Sequence, residues 1–127
     1  MILIDTCGWI EWLTDGPLCA QFEPYFNQIE EVIVPTSVQY ELYKWTARQC
    51  NLQTALEVAA VTEQGCVVPL STAIALSAAD LAAEHSLSFA DSIIYATAKF
   101  HNALLITSDA HFEKLPGVKF FRKQSGC

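Results

Sequence analysis

Short apolar runs alternate along the chain with longer stretches whose apolar residues recur three and four apart, so strands and helices are expected in turn. Ile2 to Ile4 is short and Ile-rich and reads as a buried strand. Gly8 to Leu13 follows as a short helix, broken at Asp15-Gly16-Pro17. Leu18 to Glu30 is helix-like but must be interrupted at Pro24. Val32 to Val34 is a second buried strand, ended by Pro35. Thr36 and Ser37 offer N-caps for a long helix reaching about Arg48, and Asn51 caps another that runs to about Glu63, before Gly65. Cys66 to Leu70 reads as a third strand. Ser71 starts a helix to about His85, and Ser88 starts one to about His101, with Asn102 as its stop. Ala103 to Thr107 is a fourth strand, Asp109 to Phe112 one helical turn, Pro116-Gly117 a turn, and Val118 to Phe121 a fifth strand.

Strands that alternate with helices predict an α/β fold, a parallel sheet with helices on both faces. Wholly apolar strands such as Ile2 to Ile4, Val32 to Val34 and Leu104 to Ile106 fit strands covered on both sides. In such sheets ligands bind beyond the carboxyl ends of the strands, where strand order reverses. That edge is where chemistry is expected.

With 127 residues the chain suits a single domain over 1–127, and no repeat or linker divides it. Apolar residues make up 52%, enough for a core, which excludes global disorder. No apolar run is long enough to span a membrane, and the Met1 to Asp5 start lacks the features of a signal peptide, so a soluble cytoplasmic protein is expected. The formal net charge of −7 argues against a protein that coats duplexes non-specifically, yet is compatible with an enzyme that gathers carboxylates around divalent cations. From Lys114 onward the chain holds four basic residues and no acidic one, a small positive segment suited to solvation, partner contact or nucleic acid. Cys7, Cys19, Cys50, Cys66 and Cys127 are scattered and odd in number, which fits small core residues in a reducing compartment better than disulfides or a zinc site. His85, His101 and His111 form no metal-ligand pair at helical spacing.

Two strands run into an aspartate, one at Asp5 and one at Asp109, and both carboxylates belong on the same sheet edge. Either alone reads as a helix cap; together they point to a site, within reach of one metal ion if their strands are neighbours. Glu41 sits one turn into the helix after the second strand, near that edge. Asp91 lies in the first turn of the Ser88 helix among Phe89, Ala90, Ile93 and Ile94, an apolar and buried-looking start in which a carboxylate needs a partner. Four carboxylates gathered together repel one another and raise each other's pKa unless cations join them. Oxygen ligands suit Mg²⁺ or Mn²⁺, and the chemistry such ions support is in-line phosphodiester hydrolysis.

The segments Asp5-Thr6-Cys7-Gly8-Trp9-Ile10, Glu41-Leu42, Phe89 to Ala98 (FADSIIYATA) and Thr107-Ser108-Asp109-Ala110-His111-Phe112 resemble the PIN-domain ribonucleases, and among them the VapC-like toxins of prokaryotic toxin–antitoxin pairs. The resemblance spans essentially the whole chain; the Asp91 helix followed by Leu-Ile-Thr-Ser-Asp is its most specific part. It implies a three-layer α/β/α fold with a five-stranded parallel sheet in the order 3-2-1-4-5. It implies that Asp5, Glu41, Asp91 and Asp109 form an acidic tetrad for Mg²⁺ or Mn²⁺, with Asp5 and Asp91 as direct ligands and Glu41 and Asp109 completing the shell. Thr107 matches the family's hydroxyl residue beside the last acid, and Thr6 is a weaker match. It implies an RNA substrate, an antitoxin partner and a homodimer. Two positions depart from the pattern: Cys7 replaces a small polar residue, and His111 replaces a further Asp that many members carry.

Other residues have bland and functional readings side by side. His111 can contact phosphate or be a partly exposed turn residue. Glu41, Lys44 and Arg48 share one helix face, so the two bases can hold RNA phosphates or Lys44 can pair with Glu41. Trp9, Trp12, Tyr43 and Trp45 can stack bases but fit core or interface packing better, and Asp80 with Glu84 reads as a solvated face. Beside the ribonuclease stand a catalytically silent PIN-like binding module and another metal-dependent phosphohydrolase or phosphotransferase. The latter usually needs an Asp-x-Asp pair, which Asp5-Thr6-Cys7 lacks, or a lysine after a later strand, and none follows the third or fourth.

Overall fold

Three-residue to four-residue apolar strands are too short to bury themselves, and here they assemble edge to edge in a computed structural model that describes residues 1–123. The strands are β1 (Ile2–Ile4), β2 (Val32–Pro35), β3 (Cys66–Val68), β4 (Leu104–Thr107) and β5 (Val118–Phe120). All pair in parallel, in the order β3-β2-β1-β4-β5. Ile4 stands opposite Ile106, and the ladder extends one step further where the Asp5 amide donates to the Ile106 carbonyl at 3.0 Å. The helices are α1 (Thr6–Leu13), α2 (Cys19–Phe22), α3 (Thr36–Gln49), α4 (Leu52–Thr62), α5 (Thr72–His85) and α6 (Phe89–Phe100). They flank the sheet to give the three-layer α/β/α arrangement.

Leu3, Ile4, Val32, Ile33, Val34, Leu105 and Ile106 are fully buried, as strands covered on both faces require. Burying each such side chain contributes roughly 1.5–3 kcal/mol. Trp9 packs edge-on to Phe26 at 4.8 Å, and Trp12 stacks on the same ring at 4.1 Å, so Trp9 belongs to the core. A Cβ at Gly8 would come within 2.6 Å of Ile4 Cγ2 and 2.7 Å of the Phe22 ring, so only glycine lets α1 lie this close to β1 and α2. Asp80 and Glu84 are exposed on α5. Among the described residues no helix is long and apolar enough to cross a membrane.

Several expectations are corrected. The helix expected from Gly8 begins at Thr6, because the Asp5 carboxylate accepts the Thr6 amide and caps it. The Leu18–Glu30 stretch is not one helix: α2 passes at Pro24 into a 3₁₀ turn over Glu23–Phe26, and a second such turn covers Ile29–Glu31. Thr36 and Ser37 do not cap α3; β2 runs straight into the helix, Pro35 takes the extended cap conformation, and no side chain caps it. Strand β3 stops at Val68, before Pro69, rather than at Leu70, and β5 stops at Phe120 rather than Phe121. Cys19 is buried, but Cys50 and Cys66 are exposed, so only part of the cysteine set serves the core; the four described cysteines are free, and Cys127 lies outside the described residues. Ile93 and Ile94 of α6 are buried as expected, but Phe89 at its first position is 80% exposed.

Candidate metal centre at the carboxyl edge of the sheet

The sheet order reverses between β1 and β4: the chain leaves β1 toward β2 and later crosses to β4 on the other side. At such a point the carboxyl ends of neighbouring strands open a crevice. Asp5 follows β1 there, and Ser108 and Asp109 follow β4.

Asp5 is 5% exposed and held from three sides. Its Oδ1 accepts the Thr6 amide at 2.8 Å, and its Oδ2 accepts the Thr107 hydroxyl at 2.8 Å and the Cys7 thiol at 3.7 Å. Thr107 Oγ1 in turn accepts the Asp109 amide at 2.9 Å, so one buried hydroxyl ties the two strand-end aspartates together. Cys7 closes the same network: its sulfur lies 3.5 Å from Thr107 Oγ1 and accepts the Ser108 amide at 3.3 Å.

Glu41 reaches the edge from α3, where its Oε1 accepts the Thr6 hydroxyl at 2.7 Å. Thr6 thus joins Asp5 to Glu41 as Thr107 joins Asp5 to Asp109. Asp91 arrives from the first turn of α6, fixed by Ser88, whose hydroxyl accepts the Asp91 amide at 3.2 Å. Asp109 caps the 3₁₀ turn Ala110–Phe112 by accepting the His111 amide at 2.9 Å. That turn brings the imidazole back: His111 Nδ1 stands 3.2 Å from Asp91 Oδ2 and 3.1 Å from Asp109 Oδ1.

The four expected acids therefore fall into two linked groups. Asp91 and Asp109 meet at His111, with one ligand atom from each of the three lying within 4.8 Å of the others. Asp5 and Glu41 stand beside them, joined to each other by the Thr6 amide and hydroxyl, with the Thr107 hydroxyl joining Asp5 to Asp109. Lys44 does not pair with Glu41; its ammonium lies over the Tyr40 ring at 5.7 Å, and both Lys44 and Arg48 are exposed.

The electrostatics follow from burial without a cation. Among the described residues no Lys or Arg forms an ion pair with any of the four acids. Burial pushes the Asp5 carboxyl up to about 6, against the Thr107 and Thr6 hydrogen bonds that favour its ionised form, and the Asp109 and Asp91 charges push the same way as burial. Burial and then the Asp109 charge raise Asp91, with His111 opposing. Burial and the Asp5 charge raise the Cys7 thiol, so it sits in the network as a neutral donor.

The sequence singles out Cys7 and His111 as departures from the family pattern, but not their contacts with the acids. His111 is 76% exposed, as a turn residue should be, yet it contacts two of the acids. The signal was its place two residues after a strand-end aspartate, where a one-turn helix folds the side chain back. Cys7 gave none beyond its position two residues after Asp5.

No curated protein matches the chain by sequence. Solved structures do match by shape. A toxin–antitoxin complex from Klebsiella pneumoniae superposes with a TM-score of 0.81 at 22% identity, covering 97% of this chain and 100% of that one. VapC20 of Mycobacterium tuberculosis, a toxin that cleaves the sarcin–ricin loop, gives 0.78 at 17% identity, covering 97% and 100%. VapBC2 of Rickettsia felis, bound to a DNA fragment from its promoter, gives 0.76 at 14% identity, covering 96% and 98%. At these identities the likeness establishes the fold. The PIN domain model matches residues 2–118, and the chain belongs to the PIN-domain family.

Proposed function

We propose that this chain is a divalent-metal-dependent endoribonuclease, a single catalytic domain acting as the toxin of a toxin–antitoxin pair. The observation that carries this reading is the gathering of Asp5, Glu41, Asp91 and Asp109 at one crevice of a PIN domain, linked by Thr6, Thr107 and His111 and, among the described residues, with no Lys or Arg ion-pair partner.

The residues present fit a hard divalent cation. A carboxylate as buried as Asp5 is costly when ionised, and a cation beside it offsets that cost. The donors are almost all oxygen, which suits Mg²⁺ or Mn²⁺. Asp5, Asp91, Asp109 and Glu41 would hold the ion. When bound, it polarises a phosphodiester and lowers the pKa of water.

The chain's own side chains supply the positioning. Thr107 fixes the Asp5 carboxylate and the start of the Asp109 turn at once, so the two acids keep their spacing. Thr6 fixes Glu41 against the same edge, where it can orient a water for attack. In the hydrolysis a water oxygen bonds to phosphorus, the bond from phosphorus to a ribose oxygen breaks, and a proton passes to that oxygen. Lys44 and Arg48 on the exposed side of α3 suit phosphates of the RNA leading into the crevice.

The acidic chain suits an antitoxin with a basic segment that covers the crevice, and a homodimer is expected as in VapC-like toxins. Four free described thiols agree with a reducing, cytoplasmic setting.

The test is incubation of the purified chain with a folded tRNA pool in Mg²⁺, Mn²⁺ or chelator at matched ionic strength, with Asp5→Asn alongside. Discrete cuts that need the metal and vanish in the variant are expected. Identical behaviour of wild type and variant in every buffer would overturn the catalytic reading for that substrate and leave a binding module.

A further inference from the structure

We propose that His111 is a direct ligand of the cation at this site, together with Asp91 and Asp109, and that it biases the site toward Mn²⁺ over Mg²⁺. The inference rests on the metal-dependent reading above and sharpens it.

The geometry is the starting point. His111 Nδ1, Asp91 Oδ2 and Asp109 Oδ1 are separated by 3.2 and 3.1 Å along the two imidazole–carboxylate contacts. Donors bound at about 2.1 Å and at right angles around an octahedral ion stand about 3 Å apart. The observed spacing matches that of neighbouring ligands on one ion, as it also matches an imidazole N–H shared by two carboxylates, and the test below separates the two. Among the described residues this is the one group of three His, Cys, Asp or Glu whose ligand atoms all lie within 4.8 Å of one another.

The local fold holds the imidazole in that place. Asp109 accepts the His111 amide at 2.9 Å, so the residue that supplies one carboxylate also fixes the backbone that carries the ring. The side chain is 76% exposed, so an ion and its remaining waters reach it from solvent without any rearrangement of the core. The other two acids of the site are oriented by their own hydrogen bonds, Glu41 by Thr6, and Asp5 by Thr6, Thr107 and Cys7, and keep lone pairs for the same ion.

The preference follows from donor chemistry. Mg²⁺ favours oxygen and gives up its waters reluctantly, whereas transition-metal dications accept imidazole nitrogen readily. A histidine in place of an aspartate exchanges a hard, charged donor for a softer, neutral one. The site keeps its two carboxylates here and loses one unit of negative charge.

The test uses the full chain loaded with Mn²⁺ and pulsed electron paramagnetic resonance, which reads the nuclei bonded to the ion. Wild type is expected to show a ¹⁴N coupling that changes to ¹⁵N when histidine is labelled. The coupling should vanish in His111→Ala and in His111→Asp; the residue is exposed, so both variants should fold. By calorimetry, His111→Asp should lower the Mn²⁺-to-Mg²⁺ affinity ratio, and an unchanged or higher ratio would overturn the preference. Bound Mn²⁺ without nitrogen coupling, or a coupling that persists in His111→Ala, would overturn the proposal while leaving the metal site standing. Failure of the chain to bind Mn²⁺ at all would overturn the metal-dependent reading together with it.

Discussion

Substituting Asp5 by Asn should stabilise the metal-free protein at neutral pH, against the usual cost of altering a buried hydrogen-bonded residue. The Asp5 carboxyl is raised from 3.8 to about 6, chiefly by burial. At 1.36 kcal/mol per unit, ionising it in the folded chain costs about 3 kcal/mol relative to the unfolded chain. The sign follows from proton binding. Below pH 4 the group is protonated in both states and costs nothing. Above pH 6 it is ionised in both and the full cost applies, so its contribution to stability is lost as pH rises through that window. Asn keeps the shape, and its oxygen still accepts the Thr6 amide, but the Thr107 hydroxyl loses its carboxylate acceptor. That loss returns about 1–2 kcal/mol, which leaves a net gain of about 1–2 kcal/mol at pH 7.5. Urea unfolding followed by tryptophan fluorescence in chelator measures it. The Asn variant should have the higher midpoint at pH 7.5, and the difference should shrink or reverse at pH 4.5. Saturating Mn²⁺ should raise the wild-type midpoint at pH 7.5 and move the variant far less. A variant destabilised equally at both pH values would refute the reasoning, because burial of charge would then not govern this site.

Further outcomes follow from single contacts. Thr107→Val removes the hydroxyl shared by Asp5 and Asp109 in a fully buried position; about 1–3 kcal/mol of stability should be lost in urea unfolding, with most of the RNA cleavage. Gly8→Ala drives a methyl into Ile4 and Phe22, so the urea midpoint should fall by the equivalent of about 1–3 kcal/mol. Asn51→Ala deletes the cap of α4, whose Oδ1 accepts the Thr54 amide, and should cost about 0.5–2 kcal/mol while cleavage by the folded protein stays at the wild-type rate.

Much of the frame is legible in the chain because β1 and β2 are wholly apolar and several helix starts carry their own caps. Asn51, Ser71 and Ser88 cap the helices they were expected to cap, since each side chain finds an amide three residues on. The alternation of elements gives a parallel sheet, but its order came through the PIN resemblance, because strand neighbours depend on long-range pairing that local pattern does not encode. The failures are local. Thr36 and Ser37 look like caps, but β2 enters α3 without a loop in which either could turn outward. Phe89 looks buried by composition, yet its place at the start of α6 leaves it in solvent. The acids were legible because strand-end carboxylates stand out against apolar runs. His111 was not, because its role depends on a one-turn fold-back that brings Nδ1 onto two acids from different elements.

The most direct test of the nuclease assignment is the chemistry of the cut ends. RNA cleaved by the wild-type chain in Mn²⁺ would be analysed by mass spectrometry, beside Asp91→Asn and a chelator control. Hydrolysis by water leaves linear phosphate on one side of each cut, and such ends should appear in the wild-type reaction alone. Cyclic 2′,3′-phosphate ends, or the same cuts in chelator or in Asp91→Asn, would mean that the RNA's own hydroxyl or another enzyme made them, and would contradict a metal-dependent hydrolase built on these acids.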